Sequence, residues 1–136
     1  NSIPYLIIDT KKRNFENIVL RELRKYKISL ICLAGYMKII SKKFLNSYGK
    51  MIINIHPSLL PKFRGLDTFK RVLKSKEKKT GCTVHFVNEK LDGGIKIIQK
   101  SFFIDKNDNE EIIKKKTQKL EHRAFSEAII KIFRYN

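Results

Sequence analysis

Two polar residues, Asn54 and His56, lie at the end of a mostly apolar segment that includes Ile53 and Ile55. Side chains two residues apart on a β-strand point to the same face, so an amide and an imidazole would be presented together. Pro57 follows at once and ends regular strand pairing. An amide donor beside a group that titrates near neutral pH could stabilise an oxyanion and move a proton. The two side chains could equally cap the strand and bond to the loop that follows.

A second polar segment ends in Asp92, which two glycines follow. Glycines allow a backbone to approach a ligand closely, although Asp-Gly-Gly also suits an ordinary turn. A carboxylate near His56 would raise the pKa of the imidazole and orient its ring. The sequence has no cluster of Cys and His residues with the spacing of metal ligands, so we predict no metal site.

The elements that must position these residues can be outlined from hydrophobic spacing. We predict helices over 14–26, 41–48, 66–74 and from 109 onward, and strands over 29–34, 51–55, 81–87 and 95–104. Strands that alternate with helices predict an α/β fold with a mostly parallel sheet, formed by one domain of residues 1–136. Ligands of such sheets bind beyond the carboxyl ends of strands, here after Ala34, Ile53 and Val87.

Composition narrows the class of protein. Of the 136 residues, 42% are hydrophobic, which favours a packed core over disorder. No apolar run is long enough to cross a membrane and no signal peptide is visible. Cys32 and Cys82 lie in apolar runs, so we expect buried free thiols and a cytoplasmic protein. The net charge of +17 is explained by a lysine-rich solvated surface, by steering of a small anionic substrate, or by nucleic-acid binding. The scattered lysines favour the first explanation.

Several motifs occur together in an order that resembles the folate-dependent formyltransferases, in particular the phosphoribosylglycinamide formyltransferases of purine synthesis. They are Leu33-Ala34-Gly35-Tyr36-Met37-Lys38-Ile39-Ile40, Asn54-Ile55-His56-Pro57-Ser58-Leu59-Leu60-Pro61, Gly65-Leu66-Asp67-Thr68, Gly81-Cys82-Thr83-Val84-His85-Phe86-Val87, Leu91-Asp92-Gly93-Gly94 and Gln118 with Glu121-His122. The resemblance runs from about residue 28 to the end of the chain and implies a Rossmann-like formyltransferase sheet.

The resemblance implies transfer of a formyl group from 10-formyltetrahydrofolate to the amine of glycinamide ribonucleotide through a tetrahedral intermediate. Asn54 would donate a hydrogen bond to the oxyanion. His56 would stabilise the oxyanion and help to move the proton, and Asp92 would tune His56 and relay protons. Acyl transfer of this kind needs an oxyanion donor and a proton shuttle and no metal.

The resemblance also implies the binding residues. The pterin of the folate would lie against two backbone segments, one of Tyr36, Met37, Lys38, Ile39 and Ile40 and the other of Val87, Asn88, Glu89, Lys90 and Leu91. The nucleotide substrate would contact Pro57, Gln118 and Glu121. His85 lies on a predicted strand, and we expect it to have a structural role.

One part of the family pattern has no counterpart before Ile3, namely the strand, Gly-rich turn and helix that bind the substrate phosphate. We therefore expect this chain to be the C-terminal two-thirds of the domain, missing at least one strand–helix unit, and to be poorly stable and nearly inactive alone.

Other functions remain open. A methionyl-tRNA formyltransferase would share the Asn–His–Asp set, and Phe63-Arg64-Gly65 and the positive charge favour it, whereas Leu66-Asp67-Thr68 opposes it. A formyltetrahydrofolate hydrolase is disfavoured by Pro57-Ser58-Leu59. A catalytically inactive, basic binding module is the alternative from another class. The preferred hypothesis has small molecules as partners, with neither nucleic acid nor a membrane.

Overall fold

The computed structural model describes residues 3–134 and has four helices and four strands, which alternate along the chain except that the last two strands follow one another. The elements are α1 (Phe15–Lys25), β1 (Leu30–Leu33), α2 (Lys42–Tyr48), β2 (Met51–His56), α3 (Thr68–Lys74), β3 (Lys79–Phe86), β4 (Lys96–Phe103) and α4 (Glu110–Arg134). Each element falls within about two residues of the range that its hydrophobic spacing predicts. The α/β class, with helices flanking a sheet, is confirmed.

The sheet has the strand order β1-β2-β3-β4. β1 and β2 are parallel, with Leu33 beside Asn54, whereas the β2–β3 and β3–β4 pairs are antiparallel. Three of the four strands thus run in one direction, as predicted, and β3 alone runs against them. A short connection suffices between antiparallel neighbours, so β4 can follow β3 without a crossover helix. The pairing in this part of the chain is therefore mixed.

Alternation along β2 divides the core between the two faces of the sheet. Ile53 packs with Cys82, Val84 and the buried face of α4. Ile52 packs on the other side, in a cluster with residues of α1 and α2. Asn54 and His56 have the parity of Ile52, so they extend the α1–α2 face at the carboxyl end of β2. This geometry gives the polar pair the shared face that the sequence predicts.

Local sequence explains how α2 begins and ends. The Ser41 side chain accepts a hydrogen bond from the Phe44 N–H, 3.0 Å away, which caps the first turn. Gly49 ends the helix in a left-handed conformation, with φ 62°, that glycine adopts without strain. None of the helices in the described residues is long and apolar enough to cross a membrane.

The two cysteines differ in exposure. Cys82 is buried, as predicted, and burial raises the pKa of its thiol to about 11. The prediction of burial is wrong for Cys32, which is exposed. It lies on β1, which forms one edge of the sheet in the described residues, and its side chain points to a part of the surface that those residues leave uncovered.

Candidate active site

The structure brings Asn54, His56 and Asp92 together at the carboxyl end of β2. Nδ1 of His56 lies 3.3 Å from Oδ2 of Asp92, and both side chains are only 8% exposed. Nδ2 of Asn54 lies 3.4 Å from Nε2 of His85, which itself lies 3.6 Å from Oδ1 of Asp92. Four polar side chains therefore form one continuous cluster. Their convergence supports the site that the sequence predicts, while the role of each residue stays a prediction.

Asp92 reaches this cluster through a tight return of the chain after β3. A Cβ on Gly94 would lie 1.6 Å from the Phe86 carbonyl oxygen, so only glycine allows the chain to pass there. Oδ2 of Asp92 accepts a hydrogen bond from the Gly65 N–H at 2.9 Å. Burial acts to raise the pKa of Asp92, but the contact with His85, the hydrogen bond from the Gly65 N–H and the charge of His56 lower it overall. The carboxylate is thus kept charged.

His56 has an oxygen acceptor next to each ring nitrogen. Its Nε2 lies 2.8 Å from the Phe63 carbonyl oxygen, which can only accept, so Nε2 carries a hydrogen. Nδ1 then faces the Asp92 carboxylate and gains a hydrogen-bonding proton only when the ring is charged. The ring can therefore take up and release a proton at Nδ1.

The balance of forces on His56 differs from the expectation from sequence. Burial lowers the pKa of His56, while the Phe63 carbonyl and the Asp92 charge act to raise it. The predicted effect of Asp92 is therefore present, but the burial of the ring, which is only 6% exposed, outweighs it. The proton at Nδ1, which Asp92 favours and burial opposes, is therefore one that the ring can give up readily.

His85 takes part in the site more closely than the sequence indicates. Its Nδ1 donates to the Phe86 carbonyl at 2.8 Å, which leaves Nε2 of the neutral ring as an acceptor for the Asn54 amide. Nε2 of His85 also lies 3.6 Å from Oδ1 of Asp92. The predicted structural role holds, but the side chains that His85 orients are those of the site. The alternation along β3, which puts His85 opposite Asn54, is the signal that could have shown this.

The predicted folate-binding residues lie in two segments beside this cluster. Residues 36–40 follow β1, and residues 87–91 follow β3. Lys42 lies two residues beyond the end of the first segment, and its Nζ is 3.1 Å from Oε1 of Glu89 in the second segment. Exposed apolar side chains occur in both, namely Met37 (75%), Ile39 (74%) and Leu91 (54%). In the described part of the chain, residues 36–40 make no backbone–backbone hydrogen bond.

An apolar cavity of about 130 Å³ lies behind the first segment. Its lining includes Tyr36 and Ile40 from that segment, Leu33 from β1, and Phe15 and Val19 from α1. Burial, and to a smaller extent the charge of Glu16, raise the pKa of Tyr36, so its hydroxyl stays neutral. The segment therefore rests on an incompletely filled apolar layer.

The predicted nucleotide contacts are divided between two places. Pro57 follows His56 directly and is half-buried beside the cluster. Gln118 and Glu121 lie on α4, which packs on the opposite face of the sheet, so the described residues do not bring them to Asn54 and His56. Burial raises the pKa of Glu121. No group of three or more potential metal-binding side chains occurs within residues 3–134.

Comparison with known proteins identifies the family. The family model described as formyl transferase matches residues 3–129. The chain belongs to the formyl transferase family. Among curated relatives, phosphoribosylglycinamide formyltransferase of Bacillus subtilis is 42% identical over 125 residues, which cover 92% of this chain and 64% of that protein. The trifunctional purine biosynthetic protein adenosine-3 of Gallus gallus is 41% identical over 93% of this chain and 13% of its own length.

Solved structures of formyl transferases share the fold. Phosphoribosylglycinamide formyltransferase of Campylobacter jejuni superposes with a TM-score of 0.81 at 38% identity, over 88% of this chain and 62% of that one. The corresponding enzyme of Bacillus halodurans gives a TM-score of 0.82 at 36% identity. This chain thus spans somewhat less than two thirds of the length of these bacterial enzymes. The resemblance noted in the sequence is confirmed.

Proposed function

We propose that the protein transfers a formyl group from 10-formyltetrahydrofolate to the primary amine of glycinamide ribonucleotide, a step of purine biosynthesis. The observation that carries this proposal is the convergence of Asn54, His56 and Asp92 at the carboxyl end of β2. Relatives named for this activity are about 40% identical over most of the chain, which supports the choice of acceptor.

In the proposed reaction the amine nitrogen forms a bond to the formyl carbon, and the bond from that carbon to the donor nitrogen breaks. One proton passes from the amine to the leaving nitrogen. The formyl oxygen carries negative charge in between, and the second N–H of the Asn54 amide can donate to it while the first points to His85. Nδ1 of His56, beside the Asp92 carboxylate, accepts the proton from the amine and passes it to the leaving nitrogen.

Segments 36–40 and 87–91 fit the folate donor. Their exposed apolar side chains offer a surface to an aromatic ring, and the free backbone groups of residues 36–40 offer it hydrogen bonds. The donor, once bound, supplies the activated formyl carbon. The residues of this chain orient it, exclude water and stabilise charge. The excess of positive charge suits two anionic substrates.

The test uses the full-length protein that contains this chain. Formyl transfer to glycinamide ribonucleotide is measured for the wild type, for His56→Ala and for His122→Ala, a control at an exposed histidine of α4. We expect kcat of His56→Ala to fall by about 10² to 10⁴ and that of the control to stay unchanged. A wild type that formylates methionyl-tRNA instead, or binds RNA and no folate, contradicts the proposal.

A further inference from the structure

The loop 62–66, between β2 and α3, is held by an unusual arrangement. Each of its five consecutive carbonyl oxygens accepts a hydrogen bond from a side chain. The pairs are Lys62 O with Ser58 Oγ, Phe63 O with His56 Nε2, Arg64 O with Arg71 Nη1, Gly65 O with Thr68 Oγ1, and Leu66 O with Arg71 Nη1. The loop lies outside helix and strand, so side chains replace the backbone partners it lacks.

Two groups of this loop hold the acid–base pair of the site. The Phe63 carbonyl lies 2.8 Å from His56 Nε2, and the Gly65 N–H donates to Asp92 Oδ2 at 2.9 Å. The backbone is bent through left-handed conformations at Phe63, with φ of 58°, and just after the loop at Asp67, with φ of 54°. Such values are unfavourable for residues with a side chain, so surrounding contacts must maintain them.

Arg71, on α3, contacts the loop backbone on both sides of Gly65. Its Nη1 donates to the Arg64 carbonyl at 2.6 Å and to the Leu66 carbonyl at 3.2 Å. Its guanidinium also lies 5.7 Å from the centre of the Phe63 ring. A planar, charged group that donates to two carbonyls and stacks on a ring constrains the backbone more than a single hydrogen bond would.

We propose that Arg71 is a positioning residue for the reaction, because it holds loop 62–66 in the conformation that fixes both His56 and Asp92. The consequence for catalysis rests on the function proposed above. The mechanical link is independent of that function, since it connects Arg71 to His56 through backbone atoms of Phe63 and Arg64.

Electrostatics adds a second, separable effect of Arg71. Besides burial, the groups that act on the pKa of His56 are the Phe63 carbonyl and the Asp92 carboxylate, which raise it, and His85 and Arg71, which lower it. Burial is the largest influence, and the positive charge of Arg71 adds to it. Removal of that charge therefore moves the pKa of His56 upward, whereas a lysine at the same place preserves the charge.

The experiment compares Arg71→Met, Arg71→Lys and the control Lys70→Met in the full-length protein. Lys70 is an exposed cation one residue away on α3, so the control removes equal charge from the same helix. We expect kcat of Arg71→Met to fall on the order of tenfold to a hundredfold, because a small misplacement of reacting groups has effects of that size. Lysine has no planar group to lie over the Phe63 ring, so Arg71→Lys should lose several-fold in kcat while KM stays near the wild-type value.

Histidine NMR separates positioning from stability. The ¹⁵N signals of the His56 ring, followed against pH, should show a pKa above the wild-type value in Arg71→Met and a pKa close to the wild-type value in Arg71→Lys. Altered signals of Nε2, the atom that donates to Phe63, should occur in both variants. The proposal is overturned when both variants keep wild-type kcat and wild-type His56 signals, even if their melting temperature falls.

Failure of the proposed function is distinguishable from failure of this inference. A wild type without formyl transfer removes the proposed function. The NMR titration of His56 in the Arg71 variants would still decide whether Arg71 sets the position and pKa of that ring.

Discussion

Loop 62–66 and segment 36–40 are two irregular stretches beside the same site, and they are held in opposite ways. In loop 62–66 every carbonyl oxygen accepts from a side chain. Residues 36–40 form no backbone–backbone hydrogen bond among the described residues, and Met37 and Ile39 are largely exposed. The carbonyls of the first stretch are thus satisfied by the protein itself, whereas the backbone of the second is left open to the ligand that we propose for it.

The difference matches the two tasks that we propose for them. Groups that stabilise a transition state act best when they are fixed beforehand, because no reorganisation is then needed during the reaction. A binding segment gains affinity from surface and backbone groups that only the ligand satisfies. Changes near loop 62–66 should therefore lower kcat, and changes in segment 36–40 should raise the KM for the donor.

After His56→Ala, the largest effect is expected at Asn54. Its replacement by alanine removes the amide that donates to the oxyanion, so kcat should fall by about 10² to 10³ with little change in either KM. Steady-state kinetics of the full-length protein measures this, with Asn46→Ala, at an exposed position on α2, as control. A rise in KM at constant kcat would mean that Asn54 binds a substrate and does not stabilise the oxyanion.

A smaller, different effect is expected at Ile39. The side chain is 74% exposed and available to a bound ring. Its replacement by serine removes apolar contact worth about 1.5 kcal/mol, so the KM for the folate donor should rise about tenfold. kcat and the KM for glycinamide ribonucleotide should not change. Ile130→Ser, at an exposed position on α4, is the matched control. An unchanged donor KM would place the ring elsewhere.

Ser41 should affect stability more than catalysis. Its hydroxyl caps α2 and its N–H donates to Glu16 Oε1 at 3.0 Å, just after segment 36–40. Ser41→Ala should lower the free energy of unfolding by about 1 kcal/mol, as measured by urea denaturation. Ser47→Ala, at an exposed position of the same helix, should have a smaller effect. Equal losses in the two variants would show that the cap contributes nothing.

The smallest effect concerns pH. Because burial lowers the pKa of His56 in the folded state, the unfolded state binds protons first as the pH falls through about 6.5. The contribution of His56 to the free energy of unfolding is therefore present above that pH and decreases toward pH 5. Over this range the protein takes up less than about one proton at His56 when it unfolds. Urea midpoints at pH 7 and 5 should therefore differ less in His56→Gln than in the wild type. An equal difference would assign the acid sensitivity to other groups.

The positions of the elements could be predicted because their signals are local. Ser41 and Gly49 mark both ends of α2, and the apolar run before Gly35 marks β1. The reversed direction of β3 could not be predicted, because alternation of strands and helices does not specify how a strand enters the sheet. The exposure of Cys32 was missed for a similar reason, since an apolar run does not reveal which strand lies at an edge.

The groups of the site likewise include some that the sequence predicts and some that it does not. Asn54 and His56 follow from strand alternation, whereas the link to Asp92 came from the family resemblance. The Phe63 carbonyl and the Gly65 N–H were missed because every residue offers such groups, so they leave no signal in the sequence. Arg71 carries a signal only as one cation among the 30 lysines and arginines of the chain.

The ion pair between Lys42 and Glu89 is the described link that spans the two proposed folate segments, and its side chains are 70% and 55% exposed. Dissolved salt screens exposed pairs strongly, over a Debye length of about 8 Å at physiological ionic strength. We therefore expect the spacing between the two segments to respond to ionic strength, because this exposed pair weakens as salt is added. Since we propose that the segments bind the folate donor, we also expect capture of the donor to depend on the ionic medium.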